Sequence, residues 1–548
     1  MKRFIEDLNT TEFDVVVIGG GITGAAVAYD AASRGLSVAL AEKNDFGCAT
    51  SAATSKLIHG GFRYLANLEF GIVRESLKER RTLENIAPNL VYPMRVMVPC
   101  YKQGITKHTW AVRLGMMLYD SLSFDKGRTW DKSKSIGFHK AVPAMKALEM
   151  EPSIPRKGFK KAFSYYDCAS IFPERLTLAF VKSAVKSGAR VSNYSKVEGF
   201  IYSAAGSGKR IAGVNVKDLI SGRSVELRSK LTINCGGPWA DLILDAARGE
   251  SGSRRIRRSE GIHIITKKPA LNGMLAMVTS SGGGFVMTPW RGRTLIGPTD
   301  KDYEGNPDDY RVTREAIMEL IGMVNDAMRG EERIGYEDVE HAYGGLRPLL
   351  EEKKKSVRES SRRYEIYDNE KDGLSGLITV EGGKYTTSRN LAHNVMKMVS
   401  RKLNLREPKC VTDKQHLAGC EIENMNAFLD EKKTANADFN NETIGCLGKY
   451  YGREIDGVLE IARKDKALAA PLNADGEIAA QAVYAIREEM ALTLKDILFR
   501  RTGLGTIGDP GDAVVDAVAD VAAEELGWDD SRKSKEVAEA KKMFEIPR

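Results

Sequence analysis

The sequence predicts an α/β protein: a doubly wound, Rossmann-like dinucleotide-binding domain, followed by strand-rich segments and a helical C-terminal region. Three observations predict it. Residues 13–18, FDVVVI, form a short β-branched apolar run that passes directly into Gly19-Gly20-Gly21-Ile22-Thr23-Gly24, the pattern of a buried parallel strand entering a glycine turn. Residues 231–235, LTINC, followed by Gly236-Gly237, repeat the same unit. Between 476 and 502, Ile478, Ala482, Ile486, Met490, Leu494 and Ile497 recur at helical spacing, a core-facing stripe.

The first unit contains G-x-G-x-x-G, and each part has a physical task. Gly19 lets the strand turn sharply. Gly21 has no Cβ, so a pyrophosphate can approach the backbone there. Gly24 lets the helix lie close to the sheet. The helix start at Ile22 and Thr23 presents N–H groups and the positive end of a dipole to the phosphates. The helix reads AAVAYDAASRG and stops at Gly35; the next strand, SVALAE, ends in Glu42, and Lys43 follows it. Glu42 follows Gly24 by about 20 residues, the position from which an acid accepts hydrogen bonds from an adenosine ribose. The fingerprint fits FAD and NAD equally.

Composition bounds the rest. The chain has 548 residues, 42% hydrophobic and 28% charged, with a formal net charge of +8, enough for two or three ordinary globular domains. The mild cationic excess fits an anionic substrate, an anionic membrane surface or a mixed solvated surface, and no aromatic–basic interleaving points to nucleic acid. Seven cysteines, Cys48, Cys100, Cys168, Cys235, Cys410, Cys420 and Cys446, are widely spaced without CxxC. No disulfide framework, zinc or iron–sulfur site is expected, and a reducing cytoplasmic location is. The opening MKRFIEDLNTTEFD lacks the apolar stretch of a signal peptide, and no run approaches the roughly 20 apolar residues that span a bilayer.

Residues 49–64, ATSAATSKLIHGGFRY, resemble the segment that runs along the flavin in FAD-dependent glycerol-3-phosphate dehydrogenases. Further matches follow in family order: INCGGPWAD at 233–241, GIHI at 261–264, TPWRGRTLIGPTD at 288–300, YGGLRPL at 343–349 and ITVEGGKYTT at 378–387. A weaker match, 477–505, resembles that family's helical C-terminal domain. The resemblance implies an FAD-binding doubly wound Rossmann-like domain with a β-rich substrate cap and a C-terminal helical domain. Residues 1–400 would form the oxidoreductase region, with FAD-binding segments at about 1–100, 165–240 and 340–400 and the cap between them. Residues 401–445 would be a linker and 446–548 the helical domain. Beyond Gly19–Gly24, Glu42 and Lys43, the resemblance implies flavin-nucleotide contacts at Thr50, Ser51, Ser55, Leu57, His59, Gly60, Gly61, Val197, Gly236, Trp239, Gly345, Arg347, Gly383, Lys384, Tyr385 and Thr386. His59 would lie beside the flavin, which is expected to be bound non-covalently.

The implied reaction is oxidation of glycerol 3-phosphate by hydride transfer to FAD. It needs cations for the phosphate and a base for the hydroxyl proton. Arginine suits phosphate because its planar fork donates paired hydrogen bonds. The family pattern maps onto Arg63, Arg347 and Arg362, with Tyr64 as a further donor and Lys384 near the flavin ring. His263 is the expected proton acceptor or substrate partner, and Asp300 is expected to orient the arginines. The residue three before this histidine, often basic in relatives, is Glu260; Arg257 and Arg258 are candidates either to compensate or to be simple surface residues.

Residues 105–124, ITKHTWAVRLGMMLYDSLSF, fit either an interfacial membrane helix or a helix buried under the cap. Quinone or another electron acceptor is expected, and a peripheral position on the cytoplasmic face of a membrane stays open; an oxidase using oxygen, an amine- or amino-acid-oxidising relative and a non-catalytic FAD scaffold are the alternatives. Homo-oligomer formation stays open.

Overall fold

The computed structural model describes residues 1–6, 12–205, 208–250, 256–331, 333–350, 363–406 and 409–547. Two large sheets carry the molecule. In the first, five strands run parallel in the spatial order Leu377–Gly382, Ser224–Asn234, Phe13–Ile18, Val38–Ala41, Arg190–Ser192. Tyr364–Asp368 closes one edge antiparallel to Leu377–Gly382. Ser195–Ala205 and Gly208–Asp218 extend Ser224–Asn234 as an antiparallel ribbon. Chain order along the parallel part reverses beside Phe13–Ile18, whose Ile18 lies opposite Asn234 on one side and Ala41 on the other. That reversal makes a crevice at the carboxyl ends of the strands, where dinucleotides bind in such sheets.

The helix Ile22–Ser33 lies on this sheet between helices Pro173–Lys186 and Ser388–Lys402. Its sequence, ITGAAVAYDAAS, is buried almost all round. The many alanines explain that: small side chains let three helices and a sheet approach closely, and alanine keeps helix propensity high.

Among the described residues the second sheet has ten strands. Ile256–Thr266, Arg293–Gly297, Gly284–Trp290 and Met274–Val278 pair antiparallel in that order and continue through Val91–Tyr101 to Phe159–Ser170. Val339–Leu350 adds to Ile256–Thr266 in a register that sets Gly261 opposite Gly345 and His263 opposite Tyr343. The helix Arg314–Ala327 covers one face, burying Ile317, Leu320 and Val324 against Ile262, Ile264 and Ile296.

Several boundaries fall differently from the sequence reading. Strands Val91–Tyr101, Phe159–Ser170 and Val339–Leu350 belong to the second sheet, although parts of each lay in segments assigned to cofactor binding. The region 401–445, read as a linker, contains the helix Met425–Ala435, whose Met425 and Phe428 pack with Leu447, Ile455 and Leu459 of the C-terminal helices. The stripe from Ile478 to Ile497 is buried at Ile478, Ala482, Met490, Leu494 and Ile497, yet it is not one helix. Ala480–Glu489 ends at Met490, which has φ +57°, and the chain restarts at Leu494. Helical periodicity reported burial correctly and continuity incorrectly. The next helix, Asp512–Leu526, packs Val515, Val518 and Ala522 against Leu494 and Leu498.

Candidate active site

The crevice opens into a cavity of about 1720 Å³ between the two sheets, larger than the roughly 300–1,000 Å³ of an ordinary ligand pocket. It is lined at one end by Gly19, Gly21, Ile22, Thr23, Glu42, Lys43, Val197, Gly236 and Trp239. At the other end stand Arg63, Tyr64, His263, Asp300, Arg347 and Lys384. Thr50, Ser51, Ser55, Leu57, His59, Gly61, Gly383, Tyr385 and Thr386 line it as well.

The nucleotide end is a cradle that side chains would fill. Gly19 has φ +101°, and a Cβ there would stand 2.6 Å from the Cys235 carbonyl oxygen across the crevice. Gly24 does not line the cavity; a Cβ on it would meet the Gly19 carbonyl, so it serves the close helix–strand approach. At the helix start the Ile22 N–H donates to Ser51 Oγ at 2.9 Å. The Glu42 carboxylate accepts from the Gly20 and Asn44 N–H groups at 2.6 and 2.8 Å. Burial pushes its pKa up against these two donors, and its remaining lone pairs suit ribose hydroxyls. Lys43 Nζ and Trp239 Nε1 both donate to Asp308 Oδ1, at 2.6 and 2.9 Å, with the ammonium 4.3 Å from the indole centroid. Asp308 carried no signal in the sequence. This donor set fits an adenosine diphosphate moiety, as FAD requires.

Along the middle, Thr50 Oγ1 donates to the Leu346 carbonyl at 2.6 Å, and Gly345 approaches Ala53, whose Cβ would stand 2.6 Å from one on the glycine. The His59 N–H donates to Thr386 Oγ1, and the Gly60 N–H to Asp167. Gly60 and Gly345 support the lining from behind. Tyr385 lines the cavity, but its hydroxyl donates to the Pro173 carbonyl.

At the far end Arg347 is fixed from several sides. Nη2 donates to the Thr299 carbonyl at 3.0 Å, and Nη1 lies 3.3 Å from Ser259 Oγ and 3.2 Å from Asp300 Oδ1. Asp300 also accepts from Ser259 Oγ. Tyr64, and further off Asp300, hold the Arg63 guanidinium above its ordinary pKa, against the burial that lowers it. Lys384 Nζ donates to Ser76 Oγ at 2.6 Å and lies 4.4 Å from the Tyr64 ring centroid. Burial lowers its pKa, and Arg63 adds to the lowering. The three expected cations thus line one cavity, with Arg63 and Lys384 both against the Tyr64 ring.

His263 is 1% exposed. Its Nε2 lies 2.9 Å from Ser55 Oγ, its ring stacks on Tyr343 at 5.0 Å and 16°, and Nδ1 is buried without a hydrogen-bond partner. Burial, then Arg347 and Lys56, push its pKa well below the ordinary 6.5, which favours the neutral form of the ring. Lys56 was absent from the expected set. It is buried, donates to Glu174 Oε1 at 2.7 Å and lies beneath the Tyr343 ring at 5.3 Å.

The compensation for Glu260 fails on geometry. Arg257 pairs with Asp302, and Arg258 with Asp241 and the Pro238 carbonyl, so neither compensates for Glu260. Glu260 instead offers its backbone carbonyl to Arg347 at 3.4 Å. Arg362 lies outside the described residues. Away from the cavity, Asp30, His393 and Cys410 converge with metal-ligand chemistry, but Arg34 bonds to both Asp30 and His393 and fills that position with its own charge.

Comparison with known proteins agrees with this geometry. The family model for FAD dependent oxidoreductases matches residues 14–389, and that for the C-terminal domain of alpha-glycerophosphate oxidase matches 410–533. A glycerol-3-phosphate dehydrogenase of Synechocystis is 32% identical, covering 98% of this chain and 97% of its own. The aerobic glycerol-3-phosphate dehydrogenase of Bacillus subtilis is 32% identical, covering 99% and 96%. The crystal structure of the glycerol-3-phosphate dehydrogenase from Bacillus halodurans complexed with FAD superposes with a TM-score of 0.78 at 28% identity, covering 98% and 96%. With fold, cofactor cradle and near-full-length similarity in agreement, the chain belongs to the FAD-dependent glycerol-3-phosphate dehydrogenase family and is an FAD-dependent oxidoreductase.

Proposed function

We propose that the protein oxidises sn-glycerol 3-phosphate to dihydroxyacetone phosphate and delivers the electrons to a quinone at a membrane surface. The observation that carries the reading is the gathering of Arg63, Arg347 and Lys384 at the end of a cavity whose other end is shaped for a dinucleotide. Several cations around one position suit a phosphate dianion, whereas an amino acid would need one arginine for its carboxylate. When bound, FAD supplies the hydride acceptor. The chain's own residues bind the phosphate, turn the carbinol carbon inward and take up the hydroxyl proton on neutral His263. Asp300 and the Thr299 carbonyl hold the Arg347 fork in place, so little reorganisation is needed on binding.

The acceptor reading rests on the helix Thr109–Leu122. It buries Met116 and Tyr119 but leaves Trp110 69%, Leu114 51% and Met117 51% exposed, beside Leu68 at 72% and Phe70 at 41%. Trp110, Leu114 and Leu118 also line the cavity. An exposed apolar patch at a cavity mouth, flanked by Lys107, His108 and Arg113, suits an anionic interface and a lipid-soluble acceptor. Among the described residues no helix is long and apolar enough to cross a membrane.

Anaerobic mixing of the yellow protein with glycerol 3-phosphate, glycerol or amino acids tests the substrate. Bleaching of the flavin by glycerol 3-phosphate alone is expected; bleaching by an amino acid instead would overturn the reading. Reoxidation by a quinone analogue, with little hydrogen peroxide formed in air, is the expected second stage, and rapid peroxide formation would make the protein an oxidase.

A further inference from the structure

We propose that the C-terminal helical region is a cofactor-retention device, in which Arg500 and Arg501 act through Asp45, and Asp496 through Tyr194, to hold the 42–51 loop closed around the nucleotide half of FAD. The proposal rests on the reading that this loop encloses the adenosine diphosphate moiety.

The loop has almost no regular structure of its own, yet it carries Glu42, Lys43, Cys48, Thr50 and Ser51 into the cavity. Its shape is set by contacts from elsewhere. Asp45 is 1% exposed and turns away from the cavity toward the C-terminal region. Arg501 grips it with both ends of its fork, Nη1 to Oδ2 and Nη2 to Oδ1, each at 2.8 Å. Arg500 Nε reaches Oδ2 at 2.6 Å, and Asn193 Nδ2 reaches Oδ1 at 3.0 Å. Both arginines lie in Ile497–Arg501, a widened helical turn. Such turns are uncommon and often found at functional sites. Arg501 is anchored by donating Nε and Nη2 to the Glu489 carbonyl at 3.0 and 2.9 Å.

A second route reaches the same loop. The Tyr194 N–H donates to the Asn44 carbonyl at 2.9 Å, and the Tyr194 hydroxyl donates to Asp496 Oδ1 at 2.7 Å. Asp496 also pairs with Arg500. Beyond Asp45, the Gly47 N–H donates to the Gly20 carbonyl at 3.0 Å, and Ser51 takes the Ile22 N–H at the helix start. Contacts from Arg500 and Arg501 therefore continue, bond by bond, to the glycine turn. Leaving a buried carboxylate without its cations is strongly unfavourable. A loop without regular structure can relieve that by swinging Asp45 into water, which opens the cradle.

Arg291 provides the matched control. It is also buried and pairs with Glu477 and Asp475 of the C-terminal region, but it comes from the second sheet and does not touch the loop. The measurement is the rate at which the holoenzyme releases FAD after dilution, read as recovered flavin fluorescence, with protease cleavage within 42–51 followed in parallel. Arg500→Met/Arg501→Met is expected to release FAD at least roughly tenfold faster and to become cleavable in the loop, while Arg291→Met stays within about twofold of the parent. Should the double variant not fold, Tyr194→Phe, which loses only the hydroxyl link, is expected to release FAD about threefold faster. Equal release from the Arg291→Met protein and the arginine pair (or Tyr194→Phe) variants overturns the proposal. Glu42→Ala separates the two levels of the argument. If it leaves release unchanged, the placement of the loop around the nucleotide fails. If it speeds release while the clamp variants do not, only the clamp fails.

Discussion

At Gly261 the Arg347 guanidinium occupies the space of a side chain: a Cβ there would stand 1.7 Å from Nη2. Gly261→Ala is therefore expected to displace the fork proposed to bind phosphate while leaving strand Ile256–Thr266 paired with Val339–Leu350. A displacement of about 1 Å in a positioning group costs on the order of 10²-fold in turnover. We expect kcat/KM for glycerol 3-phosphate to fall by that order, with the flavin spectrum unchanged. Steady-state kinetics beside the absorption spectrum check it. His263 makes a second case. Its depressed pKa keeps the ring neutral above pH 6.5, so the acid limb of kcat/KM for the free enzyme is expected well below that value. The Lys56 charge contributes to the depression. Removing it together with its partner, as Lys56→Met/Glu174→Gln, avoids stranding a buried carboxylate and is expected to move that limb upward toward 6.5. An unmoved limb would show that Lys56 only packs. His263 and Arg347 were picked out because each lies in a short motif that resembles the family's, and both line the cavity. Lys56, Asp45 and Tyr194 were not, because their roles come from Glu174, Arg501 and Asp496, partners far away in sequence that only the fold brings near.

At the scale of elements, 105–124 shows what periodicity could and could not settle. Apolar residues at helical spacing predicted a helix, and Thr109–Leu122 is one. The same pattern fitted an interfacial helix and a buried one, because a sequence does not say what covers its second face. In the fold, Met116 and Tyr119 pack inward against Val73, Leu77 and Phe163, while Trp110, Leu114 and Met117 meet solvent. If that outer face docks on lipid, Leu68→Glu/Met117→Glu, at two exposed residues outside the cavity lining, places two carboxylates where apolar side chains would enter the headgroup region. Co-sedimentation with anionic liposomes is expected to be lost, and quinone-analogue reduction on liposomes to fall several-fold. Reduction of a soluble dye by glycerol 3-phosphate is expected to stay near that of the parent. Loss of dye activity as well would mean that the substitutions disturb the cavity mouth rather than docking. Where the stripe from Ile478 to Ile497 breaks at Met490, the Asn193 side chain holds the Met490 carbonyl at 2.9 Å. That tertiary contact, invisible in the local pattern, stands where the helix stops.

For the whole molecule, the two strand-and-glycine units read in the sequence sit side by side across the crevice of the parallel sheet. The binding of the C-terminal helices to that sheet does not follow from any local pattern; it depends on buried charges. Asp45 and Glu489 are held at a pKa of about 2, against burial, by Arg501 with Arg500 and by Arg175 with Lys182. In the unfolded chain they titrate near 3.8 and 4.5. As pH falls through that range the unfolded state takes up protons that the folded state refuses, so this stabilisation is full above about 4.5 and is lost towards 2. Buried neutral histidines act in the same direction from a higher pH. His341 is pushed down to about 4 by burial and then by Lys56. It remains neutral in the fold while the unfolded chain protonates below 6.5, and stability declines from there as pH falls. The midpoint of thermal unfolding, followed by far-UV circular dichroism, is therefore expected to be flat from pH 8 to about 6.5, to slope gently down to about 4.5, and to drop steeply below. His341→Gln is expected to lessen the gentle segment without moving the steep one. An Asp45→Asn/Arg501→Met protein, which has no carboxylate at this position to protonate, is expected to lessen the steep one. If the steep segment survives that double substitution unchanged, the Asp45 cluster does not govern acid unfolding, and other depressed carboxylates, such as Glu489 beside Arg175 and Asp218 beside Arg3, would have to carry it.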